Sequence, residues 1–117
     1  PTSYLRSLDR VHRSLENRPL DAILHLKAME LALRCNENNR ALYHCHVLDE
    51  VLSPGTAHEH TLRCQIYLLS HRQRRYEDAE GVLQRLESLY PVDYPHDLPP
   101  LREESSTSSG DSDSSPL

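Results

Sequence analysis

The stretch from Arg74 to Pro91 sets the strongest limit on the fold. Tyr76, Ala79, Val82, Leu83, Leu86, Leu89 and Tyr90 recur there at three- and four-residue steps. That spacing lays them along one side of an α-helix. Glu77, Asp78 and Glu80 crowd its first turn, where carboxylates favour the positive end of the helix dipole. Pro91 ends the pattern, because a proline cannot supply the backbone donor that a continuing helix needs.

The same alternation of stripe and breaker runs through the preceding residues. Ser3 is placed to cap a first helix over residues 4–16, striped by Leu5, Leu8, Val11 (or His12) and Leu15. Asn17-Arg18-Pro19 interrupts it, and Pro19 suits the first position of a second helix, where no intrahelical donor is lost. That second helix runs to Arg34 or Cys35. Its apolar residues, from Leu20 and Ile23 to Ala32 and Leu33, cover more than half its circumference. Such a helix is buried between neighbours and marks the centre of the core. Cys35 to Asn39 reads as a turn, since Asn tolerates left-handed geometry.

A third helix is expected over residues 40–52, with Ala41, Leu42, Cys45, Leu48, Val51 and Leu52 inward. Ser53-Pro54-Gly55 stops it. Thr56 and Glu59 have the spacing of a capping box, which opens a fourth helix running to about His71. Leu62, Ile66, Leu69 and part of Tyr67 or Leu68 face inward on it. The chain has no Trp or Phe, so Leu, Val, Ile and Ala must fill the core. That composition favours helices over a β-sandwich or barrel. The expected fold class is all-α, with five helices in residues 1–91.

Beyond Pro91 the character changes. Residues 92–101 contain three more prolines and are expected to be extended. They either lie back across the helices through Tyr94, Leu98 and Leu101 or form a docking motif. Residues 102–117 hold seven serines, a threonine and four acids. They offer too little apolar surface to offset ordering entropy, so a disordered tail is expected. Ser108, three residues before Asp111, and Ser115, before Pro116, are candidate phosphorylation sites there.

The formal net charge of -5 is uneven, with 12 basic and 14 acidic side chains in residues 1–101. A nearly balanced body argues against nucleic-acid binding, which needs a basic face. The local cluster Arg63, Arg72, Arg74 and Arg75 reads as a solvated helix end. There is no apolar run of about 18 residues, so no membrane span is expected. With no secretory-type segment and an odd count of three cysteines, a reducing cytoplasmic or nuclear setting is expected.

A 38-residue offset places Ala41 on Ala79, Cys45 on Leu83, Leu48 on Leu86 and Val51 on Leu89, and Leu24 on Leu62. This is an internal repeat of helix–turn–helix units. Tyr76, Ala79, Leu83 and Pro91 have the residue types and spacing of the second half of a tetratricopeptide repeat, and residues 74–91 resemble that family. The first half departs from it: Arg63, Ile66, Tyr67 and Ser70 stand where the family carries Trp, Leu, Gly and Tyr. The resemblance implies two antiparallel helical hairpins in a stack, with an extra N-terminal helix. It further implies a non-catalytic adaptor or scaffold that binds a partner protein or peptide. Because the family lines a groove with the inner helix of each hairpin, it points by helix position to Leu26, Glu30, Arg34, Cys64, Leu68, His71 and Arg72. A closed five-helix bundle is the architectural alternative.

Gly81 lies inside the fifth helix, where a glycine costs about 1 kcal/mol relative to Ala. Solvent exposure and close approach by a partner both account for it.

Histidine and cysteine carry the competing chemical signal. His60 and Cys64 lie four apart on one helix face, and Cys45 or His46 could join them from the third helix. The set Cys45, His46, His60 and Cys64 would be a zinc site of nitrogen and sulfur ligands. The alternative function is therefore a zinc-stabilised helical regulatory domain, and a third is a self-associating helical module. A cysteine nucleophile with a histidine base, oriented by Asp49 or Asp21, would need an activating local setting. No Gly-rich turn supplies one, so neither an enzyme nor a cofactor is expected.

Overall fold

The computed structural model describes residues 2–92. The expectations for residues 93–117, including the extended segment, the disordered tail, Ser108 and Ser115, lie outside them. The described chain is all-α. Five helices span Thr2–Asn17 (α1), Ala22–Arg34 (α2), Asn38–Val51 (α3), Thr56–Tyr67 (α4) and Tyr76–Leu89 (α5). The short connections fold each helix back against the one before it, and each packs on its sequence neighbours. Both α2 and α4 pack on α3, and their backbones do not pack on one another. No described helix is long and apolar enough to cross a membrane.

The helix ends show how local chemistry sets the boundaries. Pro19 does not open α2. The chain turns through Pro19 and Leu20, and Asp21 becomes the cap, its carboxylate accepting from the Leu24 amide at 3.0 Å. A side-chain acceptor at that position satisfies a donor that proline leaves unserved. At the far end Asn36 takes the left-handed conformation, with φ 58°. Glu37 donates to the Ala32 carbonyl at 2.9 Å and Asn36 to that of Leu33 at 3.2 Å, which closes α2 in a Schellman turn.

The expected capping box on α4 does not form. Gly55 is the cap residue and makes no side-chain bond, while the Glu59 carboxylate goes to Arg63 at 2.9 Å. Ser3 lies inside α1 rather than capping it.

The end of α4 was not foreseen. Leu68–Arg72 is a turn of π-helix, in which Gln73 donates five residues back to the Leu68 carbonyl at 3.0 Å. The Ser70 hydroxyl donates to the Ile66 carbonyl at 2.7 Å, a back-bond that loosens regular helix. Arg74 then takes φ 57°, and the chain reverses into α5. Leu68 and Leu69 continue the buried face of α4, three and four residues after the buried Gln65.

The core runs the length of the stack. Leu8 of α1, Ala28, Met29 and Ala32 of α2, Ala41, Cys45 and Leu48 of α3, and Leu68 of the π turn are all fully buried. The small residues on α2 and α3 let these two helices approach closely. Each fully buried Leu contributes about 1.5–3 kcal/mol. The stripe on α5 is shallower than its periodicity suggests. Ala79 and Leu86 are buried, but Tyr76 is 60% exposed and Leu89 46%.

Candidate functional site

The face shared by α2 and α4 gathers the ligand-type atoms. Glu30 comes from α2, where it is part-buried. His60 and Cys64 come from α4, one turn apart on the same side. The His60 Nε2 lies 2.8 Å from a Glu30 carboxylate oxygen and 3.5 Å from Cys64 Sγ. All three ligand atoms lie within 4.8 Å of one another. Both contacts use the same imidazole nitrogen. A nucleophilic relay would need its thiol on one ring nitrogen and its carboxylate on the other. This arrangement therefore cannot run that relay. Burial, and then the Glu30 carboxylate, push the Cys64 thiol up to about 11, which also keeps it from acting as a thiolate nucleophile.

Only half of the expected zinc set meets here. Cys45 is fully buried and donates to the Met29 sulfur at 3.4 Å. Burial, then the neighbouring Cys64, Asp49 and Glu30, push its thiol up to about 12. It belongs to the core, as its period on α3 implies. His46 is exposed on α3. Glu30 takes the place that sequence spacing assigned to these two.

The proposed groove residues divide among several places. Leu26, Glu30 and Arg34 line a groove of about 670 Å³, but its other wall is α1, through Ser7, Arg10, Val11 and Ser14. Leu68 is fully buried and lines no surface, because it continues the inward face of α4 three residues after the buried Gln65. His71 stacks on Tyr67 with ring centroids 5.1 Å apart, and Arg72 lies over the same ring at 5.2 Å. Arg72 also donates to the Asn38 side chain at 2.7 Å, pinning the π turn to the start of α3. Beside Gly81 the space is open: a Cβ there would meet nothing within 4 Å.

Two histidine networks escaped sequence reading. In the first, His25 of α2 contacts the Pro19 carbonyl through Nε2 at 2.7 Å, and its Nδ1 lies 2.9 Å from the Nδ1 of His44. His44 Nε2 in turn lies 3.0 Å from His12 Nε2. A carbonyl only accepts, so His25 Nε2 carries its hydrogen and Nδ1 is bare. His44 Nδ1 must then donate, and its bare Nε2 accepts from His12. The whole chain closes with three neutral rings. Burial first, then the neighbouring His25, His12 and Arg40, lower the His44 pKa to about 4. Burial, then Arg40, also lowers that of His12, against a raising effect of Asp9.

The second network joins α3, α4 and α5. His58 Nε2 donates to Asp49 at 2.7 Å and Nδ1 accepts from the Tyr90 hydroxyl at 2.7 Å. The Tyr90 oxygen accepts from the Gly55 amide at 3.0 Å. Arg85 grips both Asp49 oxygens at 2.9 Å, and its hydrogen bond is the largest cause holding the Asp49 carboxyl below its usual range. Asp49 thus orients a histidine, but His58 serves a phenol and no thiol. Asp21 is the α2 cap. No family model, curated protein or solved structure matches the chain.

Proposed function

We propose that this chain is a non-catalytic interaction module of tetratricopeptide-like hairpins, and that it binds a partner protein or peptide along the groove between α1 and α2. The observation that carries the reading is the make-up of that groove. Val11, Leu24, Leu26 and Leu31 are half-buried along it, and Arg10, Lys27 and Arg34 edge it against the single acid Glu30. Arg34 is held with its guanidinium 5.6 Å from the Tyr4 ring centre. An apolar floor with a cationic rim suits an amphipathic segment whose apolar anchors are flanked by Asp or Glu. The reading places the protein in the cytoplasm or nucleus, in keeping with three free thiols.

The test is affinity purification with the full chain, repeated with Leu26→Glu and Arg34→Glu. Arg34 is exposed whereas Leu26 is half-buried and touches the core, so the comparison uses variants whose helical content by circular dichroism is unchanged. Loss of the same specific partner in both variants, followed by direct binding of an acidic amphipathic peptide from it, supports the reading. Retention of every partner by both variants refutes the groove.

A further inference from the structure

We propose that Glu30, His60 and Cys64 form a three-ligand zinc(II) site bridging α2 and α4, with a fourth coordination position open to solvent. The ligand types suit this ion: one carboxylate oxygen, one imidazole nitrogen and one sulfur. One of the distances suits it as it stands. Around a tetrahedral zinc, bond lengths of about 2.3 Å to sulfur and 2.0–2.1 Å to nitrogen place N and S about 3.6 Å apart. The observed separation is 3.5 Å. Nitrogen and carboxylate oxygen would sit about 3.4 Å apart around the same ion. Here they are 2.8 Å apart, so entry of the ion needs the half-exposed Glu30 carboxylate to withdraw by about half an ångström.

Hydrogen bonding alone leaves this trio poorly served. His60 Nε2 has one hydrogen to give, and the Glu30 oxygen at 2.8 Å takes it. That nitrogen then has no lone pair for a Cys64 S–H, and the sulfur receives at most a share of one bifurcated hydrogen. The Glu30 oxygen and the Cys64 sulfur thus compete for one imidazole hydrogen. A divalent cation would satisfy all three at once, with the thiol proton released to solvent. The carboxylate favours zinc over cuprous ion, which prefers sulfur and nitrogen alone. An ion here would tie α2 to α4, whose backbones do not pack on one another. The open position matches an ion that waits for a water or a partner's side chain rather than one that drives folding.

The experiment titrates the full-length reduced chain with cobalt(II) and zinc(II) salts. Cobalt is expected to give a thiolate charge-transfer band and four-coordinate d–d bands at one ion per chain, both erased by added zinc. Cys64→Ser should abolish the charge-transfer band. His60→Gln and Glu30→Gln should weaken zinc binding by at least roughly tenfold, since losing a direct ligand costs more than losing a supporting partner. All three positions are at least partly exposed, so circular dichroism should show unchanged folding. Cys35→Ser and His46→Gln should leave the spectrum intact. Absence of a charge-transfer band, its survival in Cys64→Ser, its loss in either control, or one ion per two chains would each overturn the site.

Discussion

Acid should loosen the first three helices through His44. The ring is almost completely buried, with 1% of its surface exposed. It sits between His12 of α1 and His25 of α2, with Arg40 and Tyr43 of its own helix, and Glu16 of α1, around the same groove. Both His44 nitrogens are already committed, one donating and one accepting. An added proton would set two N–H groups against each other at 3.0 Å across the His12 contact, beside the cation of Arg40. The folded pKa is lowered from 6.5 to about 4. The unfolded chain therefore takes up this proton near pH 6.5 and the folded chain does not. Stability is full above pH 6.5, drains as pH falls below it, and the loss is complete near pH 4.

Between pH 7.5 and pH 5 the linkage amounts to about 2 kcal/mol from this group. One side of the cluster opens to solvent through the groove, so about 1–1.5 kcal/mol is the working figure. For a helical body of this size that is a fall in Tm of about 4–12 °C. The assay is thermal and urea unfolding by far-UV circular dichroism at several pH values. His44→Asn should lose neutral-pH stability by about 1–2 kcal/mol and lose most of the acid slope. His46→Asn, two positions away and exposed, should keep it. A wild-type stability flat from pH 7.5 to 5, or an unchanged slope in His44→Asn, would refute the reasoning.

Gly81→Ala should stabilise the protein by about 0.5–1 kcal/mol in urea unfolding, because the new methyl enters open space on an exposed helix face. Leu68→Glu should unfold the chain outright by circular dichroism, since it buries an unpaired carboxylate at a fully buried position. Tyr90→Phe should cost about 1–2 kcal/mol by leaving the buried His58 Nδ1 without its donor, and the same loss should be nearly absent in a His58→Phe background.

Periodicity reported helix faces well and helix partners poorly. The inward stripe of α3, from Ala41 to Leu48, is buried as its spacing requires. The family resemblance placed Leu68 on a groove, but it lies three residues after the buried Gln65, on the inward face of α4. The π turn that follows carries a Ser70 back-bond to Ile66, which a hydrophobic pattern does not register. Leu20 and Ile23 illustrate the opposite miss. They extend the apolar run of α2 but are 68% and 65% exposed: Leu20 precedes the Asp21 cap, and Ile23 lies opposite the buried face of His25, Ala28, Met29 and Ala32. At the candidate metal site, His60 and Cys64 were legible from their four-residue step on one helix. Glu30 was not, since nothing in spacing along the chain tells which acid on α2 will face α4 across α3.

The histidines sort themselves by donor and acceptor accounting. A chain without Phe or Trp places imidazole rings where larger aromatics would otherwise fill space between helices, and each ring must then place its hydrogens. His12, His44 and His25 do so in one direction, ending on the Pro19 carbonyl. His58 does so between a phenol and a carboxylate that Arg85 holds ionised. In both networks each hydrogen bond has one donor and one acceptor, and the rings act as staples whose polar pairing fixes helix register. At His60 the accounting does not close: a carboxylate and a sulfur converge on the same nitrogen, and only one can be served. Burial runs the same way, since His25, His44 and His58 are buried whereas His60 is exposed. His60 is thus exposed and shared between two acceptors, which sets it apart from the buried rings of the two networks.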